Sequence, residues 1–374
     1  SDLFNPETGE RLGHTRNGAP PRYQDVFGET LLELARRDER IVGITPAMPT
    51  GCSLSIMMEQ MPERCFDVGI AEGHAVTFSA GLAAQGLVPY CNIYSSFMQR
   101  AYDNVIHDVA LQGLHVVMCL DRAGLVGEDG ATHHGVFDLA AMLPVPGLTI
   151  ASPMDEVELR NLMFTAASGE GPFVIRYPRG NGVTRDWRRP METLPLGRGR
   201  ILREGKDLAL LTIGPAGNDA AWAAEQAAGE GISVLHADLR FAKPLDEGLL
   251  HRIGREFRRV ITVEDGVVNG GVGAAVLAFM NRHGYPCRIT MLGVEDRFVA
   301  HGTVAQLKEM CGYDAPGILR AIREAGAERL TSPIDGRVTE QADTADGPDT
   351  DCAVYPFRNG IKSPGQERNE TKQD

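Results

Sequence analysis

The chain has 374 residues, with 37 Lys and Arg against 50 Asp and Glu, for a formal net charge of −13. That length suits about two domains, and 43% hydrophobic residues are enough for each to build a core. The acidic balance disfavours a general nucleic-acid surface, and no run reaches the roughly 18 apolar residues of a membrane helix.

The seven cysteines are scattered and include no C-x-x-C pair, which argues against a zinc site and a disulfide framework. Cys65, Cys91 and Cys119 lie in apolar runs and read as buried small hydrophobes in a reducing cytoplasm. Ser1 to Pro6 lacks the basic stretch and apolar core of a secretory signal. Residues 1–22, polar and rich in Gly and Pro, read as a linker or arm.

Residues 23–185 alternate helix and strand. Apolar runs fall at Ile41–Ile44, Cys65–Ile70, Val88–Tyr94, His115–Leu120, Leu148–Ala151 and Phe173–Tyr177. Phe97, Ala101, Val105 and Val109, four apart, mark one face of a helix. Such alternation implies a parallel sheet with helices on both faces. The Pro-, Arg- and Gly-rich stretch Arg185–Gly199 breaks the pattern. A second, smaller α/β domain follows over 195–328, with strands at Leu208–Ile213, Ile232–Ala237, Val260–Val263 and Arg288–Leu292. Its helices include Ala216–Ala228 and Gly270–Met280. Residues 331–374 are acidic, nearly free of apolar periodicity, and read as a disordered tail.

Several polar residues stand where ligands bind in open α/β sheets, at the carboxyl ends of predicted strands. Glu72 follows such a run and opens a helix, so it is either a helix-start charge or a catalytic acid. Arg122 and Arg179 each follow an apolar run, and arginine there can grip a phosphate with two parallel hydrogen bonds. The bland alternative is a surface ion pair, and Arg176 is a rival binder three residues away. His133, in the loop Gly127–Gly135, can donate a hydrogen bond or shuttle a proton. Its neighbour His134 is a rival, and Asp129 is close enough to orient His or substrate. Tyr94 ends a strand and can direct its hydroxyl into the same region. Gly270-Gly271-Val272-Gly273 is not G-x-G-x-x-G and reads as tight helix–strand packing, not a nucleotide site.

A set of blocks occurs in fixed order: Ile44-Thr45-Pro46-Ala47-Met48; Val68-Gly69-Ile70-Ala71-Glu72-Gly73-His74; Tyr94-Ser95-Ser96-Phe97-Met98-Gln99-Arg100; Asp121-Arg122-Ala123-Gly124; Asp129-Gly130; Thr132-His133-His134-Gly135; Tyr177-Pro178-Arg179-Gly180-Asn181; and His301-Gly302-Thr303. Together they resemble the thiamine diphosphate enzymes of the transketolase type, and among these the 1-deoxy-D-xylulose-5-phosphate synthase family, over roughly residues 23 to 328.

The resemblance implies two parallel-sheet domains, pyrimidine-binding and C-terminal. It implies a transferase of aldehyde or ketone residues that condenses pyruvate with D-glyceraldehyde 3-phosphate with loss of CO2, for isoprenoid and thiamine biosynthesis. Glu72 would bond the aminopyrimidine and Phe97 stack on it, with Tyr94 and Arg100 beside them. His133 would share in catalysis; Tyr94, Arg122, Asp129 and Arg179 would hold substrate. Gly73 departs from the usual Gln of the motif.

The sequence carries no Gly-Asp-Gly motif of the kind that holds the diphosphate through Mg2+, and no metal ligand is expected in it. The resemblance puts that motif in an N-terminal domain, supplied by another domain or chain. A cytoplasmic homodimer is expected. The alternatives are a beta-type subunit of a 2-oxo-acid dehydrogenase or split transketolase, and an inactive binding fragment.

Overall fold

The computed structural model describes residues 3–4, 7–9, 11–12 and 19–327. The expected tail at 331–374 and most of the arm at 1–22 lie outside the described residues. Among the described residues no helix is long and apolar enough to cross a membrane.

Two sheets organise the chain. The first takes strands β1 (Ile41–Thr45), β2 (Cys65–Asp67), β3 (Val88–Tyr94), β4 (Val117–Asp121), β5 (Thr149–Ala151) and β6 (Phe173–Arg176). The second takes β7 (Arg200–Arg203), β8 (Leu208–Thr212), β9 (Val234–Asp238), β11 (Arg259–Val267) and β12 (Arg288–Val294). A short strand between them in sequence, β10 (Phe241–Lys243), joins the first sheet instead. The orders are β10-β5-β6-β4-β3-β1-β2 and β12-β11-β8-β9-β7. All neighbours are parallel except β10 on β5 and β7 on β9.

The central strands are buried at every position in β1, β3, β4, β6, β8 and β9. This is why they read as unbroken apolar runs: helices cover both faces. Helices α1 (Tyr23–Arg37) and α3 (Glu156–Ala167) pack one face of the first sheet through Phe27, Leu31, Leu159 and Leu162. Helix α2 (Glu72–Ala84) lies on the other. In the second half, α4 (Ala216–Gly229), α5 (Glu247–Glu256), α6 (Val272–Arg282), α7 (Val304–Cys311) and α8 (Ala315–Ala327) surround the smaller sheet. The cores are not separate. One apolar cluster runs from Val76 and Ile93 through Met142 and Leu148 to Leu211, Val260 and Val276.

Two expectations are corrected, and a third segment proves better anchored than its composition suggests. The run Cys65–Ile70 is strand only to Asp67, because the Asp67 carboxylate accepts from the backbone N–H groups of Gly69 at 3.0 Å and Ala47 at 2.7 Å and turns the chain. Ile70 is then 84% exposed and does not shield Glu72. The helix through Phe97 to Val109 is broken into a 3₁₀ turn at Gln99–Ala101 and a π turn at Val105–Ala110, although Ala101, Val105 and Val109 are fully buried. Arg185–Gly199 has no regular structure yet is pinned: Trp187 and Leu194 enter the core, and the Leu194 N–H donates to Thr165 Oγ1 at 2.8 Å.

Candidate active site

The site lies at the carboxyl edge of the first sheet. Strand β3 delivers Tyr94 and the short helix Ser95–Met98 that carries Phe97; β4 delivers Asp121 and Arg122; β6 leads to Arg179. Glu72 opens α2 beside them and is 5% exposed.

The eight residues singled out from sequence form one continuous path of contacts. Arg100 Nη1 donates to Glu72 Oε1 at 2.6 Å, and the same guanidinium lies over the Phe97 ring, 5.0 Å from its centroid. Phe97 meets the His133 ring edge-on at 5.3 Å and stacks with Tyr94 at 5.5 Å. On Tyr94 sits the Arg122 guanidinium, 3.8 Å from the ring centroid. Asp129 Oδ2 lies 3.8 Å from Arg122 Nη1 and 3.2 Å from Arg179 Nη1, so one carboxylate gathers both arginines. Arg179 Nη1 also donates to Val126 O and to Glu128 Oε2, each at 3.0 Å. The Tyr94 hydroxyl lies against residue 51, where even a methyl group would meet it at 2.4 Å. A side chain at 51 would have to displace the Tyr94 hydroxyl.

The two rivals are committed elsewhere. Arg176 is 2% exposed; its Nε donates to Asp138 Oδ2 at 2.9 Å and its Nη2 to the Asp265 carbonyl at 2.8 Å. Its fork joins the two halves of the chain, which leaves it poorly disposed toward a soluble phosphate. His134 is 3% exposed; its Nδ1 accepts from the Val126 N–H at 3.1 Å. The proton therefore belongs on Nε2, which faces the Ala300 carbonyl at 3.1 Å.

The loop holding Arg122, Asp129 and His133 is supported by the second half, a point the sequence did not disclose. Gly124 and Gly135 exchange backbone hydrogen bonds of 2.8 Å in both directions, closing the loop's base. Asp265 of β11 accepts from the Leu125 N–H at 2.9 Å and from the Tyr313 hydroxyl at 2.8 Å. It lies so close to Gly124 that a Cβ there would meet Asp265 Oδ2 at 2.1 Å.

Arg122 has φ of +62°, a left-handed conformation rare for a long side chain. Its Nε is buried with no hydrogen-bond partner among the described residues, as are Ser96 Oγ and Asp121 Oδ2. Three unsatisfied polar atoms at one sheet edge fit a region that handles polar ligands. Burial pushes the Asp121 carboxyl up to about 7, against the pull of Arg122 and Arg179. Burial likewise raises the Tyr94 hydroxyl to about 12.

Residues 19–184 match the family described as transketolase, pyrimidine binding domain, and residues 197–318 match transketolase, C-terminal domain. The chain belongs to the transketolase family. Similar proteins named 1-deoxy-D-xylulose-5-phosphate synthase include one from Bacteroides fragilis, 59% identical over 334 residues, 89% of this chain and 51% of that protein. Another, from Bacteroides thetaiotaomicron, is 60% identical over 321 residues, 85% of this chain and 50% of that protein. The chain thus spans about half the length of the relatives it matches. A solved structure described as a split gene transketolase, inactive β4 tetramer, superposes with a TM-score of 0.73 at 29% identity, covering 82% of this chain and 98% of that one.

The second transketolase domain's glycine run is filled from within. Glu264 accepts from the N–H groups of Val272 at 2.9 Å and Gly273 at 2.8 Å, at the start of α6, and a Cβ at Gly271 would meet its carboxylate at 2.3 Å. A protein carboxylate stands where a nucleotide phosphate would have to bind.

Proposed function

We propose that this chain forms the pyrimidine-side and C-terminal part of a 1-deoxy-D-xylulose-5-phosphate synthase. The enzyme would condense pyruvate with D-glyceraldehyde 3-phosphate with loss of CO2, toward isoprenoid and thiamine precursors. The observation that carries the reading is the unbroken contact path from buried Glu72 to the arginine pair at Asp129.

Thiamine diphosphate, when bound, supplies the carbanion chemistry. Glu72 is buried, which keeps water from its carboxylate and leaves that group to hydrogen-bond a ring nitrogen of the aminopyrimidine. Phe97, half-buried, offers an aromatic face for a flat heterocycle. Arg100 pairs with Glu72 and covers that face, but its side chain is 59% exposed, so it can swing out to admit the pyrimidine. His133, edge-on to Phe97, would donate to the pyruvate-derived oxygen. Arg122 and Arg179, about Asp129, would hold the aldehyde's phosphate.

The proposal includes Mg2+ and the cofactor's diphosphate bound by a separate N-terminal domain or chain, and a cytoplasmic homodimer. A second reading is favoured by the likeness to a split gene transketolase, whose chain is covered almost end to end. On that reading the donor is a ketose phosphate rather than pyruvate.

The test is to mix the chain with a separately expressed diphosphate-binding half, thiamine diphosphate and Mg2+. CO2 release from pyruvate that depends on glyceraldehyde 3-phosphate is expected, with no turnover by the chain alone. A mixture that turns over only ketose phosphates, or the chain turning over unaided, overturns the proposal.

A further inference from the structure

Two guanidinium groups and two carboxylates meet at the proposed phosphate subsite, and so cancel in charge. Asp129 touches both Arg122 and Arg179, and its side chain is 37% exposed. Among the described residues Glu128 reaches only Arg179, at 3.0 Å, and its side chain is 74% exposed. The pair Glu128-Asp129 is bracketed by Gly127 and Gly130, with φ of +93° and +71°, which present both carboxylates to the same arginine.

An entering phosphate, itself a dianion, meets no net positive charge unless a carboxylate withdraws. The geometry decides which one. Asp129 bridges two cations. Glu128 holds one, already faces solvent, and can swing away while the Val126 carbonyl keeps Arg179 in place at 3.0 Å. We propose that Glu128 is a displaceable counter-ion which competes with the substrate's phosphate for Arg179 and so sets the discrimination between phosphorylated and unphosphorylated acceptors. The inference rests on the phosphate reading of Arg179 and goes beyond it, since neither sequence motif nor family resemblance gave Glu128 a role.

The competition is mild, because an exposed ion pair is worth little. Its loss should tighten phosphate binding by about two- to fivefold. An unphosphorylated aldehyde need not displace Glu128 and should gain nothing.

The test is a calorimetric titration of inorganic phosphate, at fixed ionic strength, into the 374-residue chain and its variants Glu128→Gln, Arg179→Ala and the double substitution. Glu128→Gln is expected to lower Kd by about two- to fivefold and Arg179→Ala to raise it. Adding Glu128→Gln to Arg179→Ala should change nothing further. An unchanged Kd for Glu128→Gln, while Arg179→Ala still weakens binding, overturns the inference and leaves the phosphate reading standing. The same gain from Glu128→Gln in the Arg179→Ala background also overturns it, because the effect would then be diffuse charge and not displacement. If Arg179→Ala leaves phosphate affinity intact, the phosphate reading itself fails and the inference falls with it.

Discussion

Glu72 and Asp121 are both buried carboxyls at one sheet edge, yet their surroundings assign them different work. Glu72 has an exposed cation, Arg100, on Oε1. Replacing Glu72 by Gln in the completed enzyme keeps the shape but removes the shareable proton. The expected loss of turnover is about 10²- to 10⁴-fold, with an unchanged circular dichroism spectrum; near-wild-type turnover would remove Glu72 from the mechanism. Arg122→Ala and Arg179→Ala should raise KM for glyceraldehyde 3-phosphate by about ten- to a hundredfold, the value of a lost charge-assisted hydrogen bond. KM for pyruvate, which has no phosphate, should hold; equal weakening toward both substrates would mean a structural role. Asp121 makes a pH prediction. Its folded carboxyl sits at about 7, above the ordinary 3.8. Between these two values the unfolded chain ionises while the folded one does not, so stability is lost as pH rises through the window. Asp121→Asn removes that dependence. Its melting temperature relative to wild type should therefore climb from pH 4 to pH 8, and a difference that stays flat would refute the shift. That the eight candidate residues gather at one sheet edge was legible because each follows a visible strand end or lies in a distinctive block. The fates of Arg176 and His134 were not, because both are decided by partners from the second half, Asp265 and Ala300. No local pattern announces such long-range contacts.

Elements announced themselves where burial and apolar composition coincide. Strands β1, β3, β4 and β8, covered on both faces, read as apolar runs; β7 is partly exposed with an arginine at each end, and β10, though Phe241 and Ala242 are buried, is a Phe-Ala-Lys segment directly after Arg240 that leaves no run to read. The strand ending at Asp67 was overextended because Val68 and Ile70 are apolar, while the turn is dictated by the Asp67 side chain. The π turn at Val105–Ala110 was hidden because a fourfold spacing looks the same in the sequence whether or not the backbone widens locally. The loop from Arg122 to Gly135 is the element most open to test. Gly124 combines φ of +79° with Asp265 at its surface. In Gly124→Ala the left-handed backbone costs about 1 to 2 kcal/mol. The new methyl group must also push Asp265 away from Leu125 and Tyr313, forfeiting hydrogen bonds to a buried carboxylate worth about 1.5 to 3 kcal/mol. A denaturation midpoint clearly below wild type is expected in urea, and an unchanged midpoint would show that the loop does not depend on Asp265.

At the scale of the whole molecule, two largely parallel sheets were readable, but the fusion of their halves was not. After β9 the chain passes Arg240, whose φ is +56°, and crosses to the edge of the first sheet as β10. Arg240 grips Glu158 of α3 with two hydrogen bonds of 2.9 Å, and Phe241 is fully buried against Phe173, ring centroids 6.5 Å apart. A residue of the second half thus completes the core of the first, and the apolar cluster running between the sheets makes the same connection more broadly. Two such halves should unfold together. The chain carries two tryptophans, one in each: Trp187, buried in the first core, and Trp222, on α4 of the second. Trp187→Phe and Trp222→Phe therefore give a separate fluorescence report from each half. The two urea transitions should coincide, as a single cooperative unit requires. Phe241→Ala leaves a cavity at the junction and should cost about 3 to 5 kcal/mol. Because the two halves share one core, both reporters should shift by the same amount, including Trp222, which is far from the cavity in the chain's organisation. A shift confined to the Trp187 signal, with the Trp222 transition unmoved, would mean that the halves fold independently and that β10 is only a latch on the first sheet.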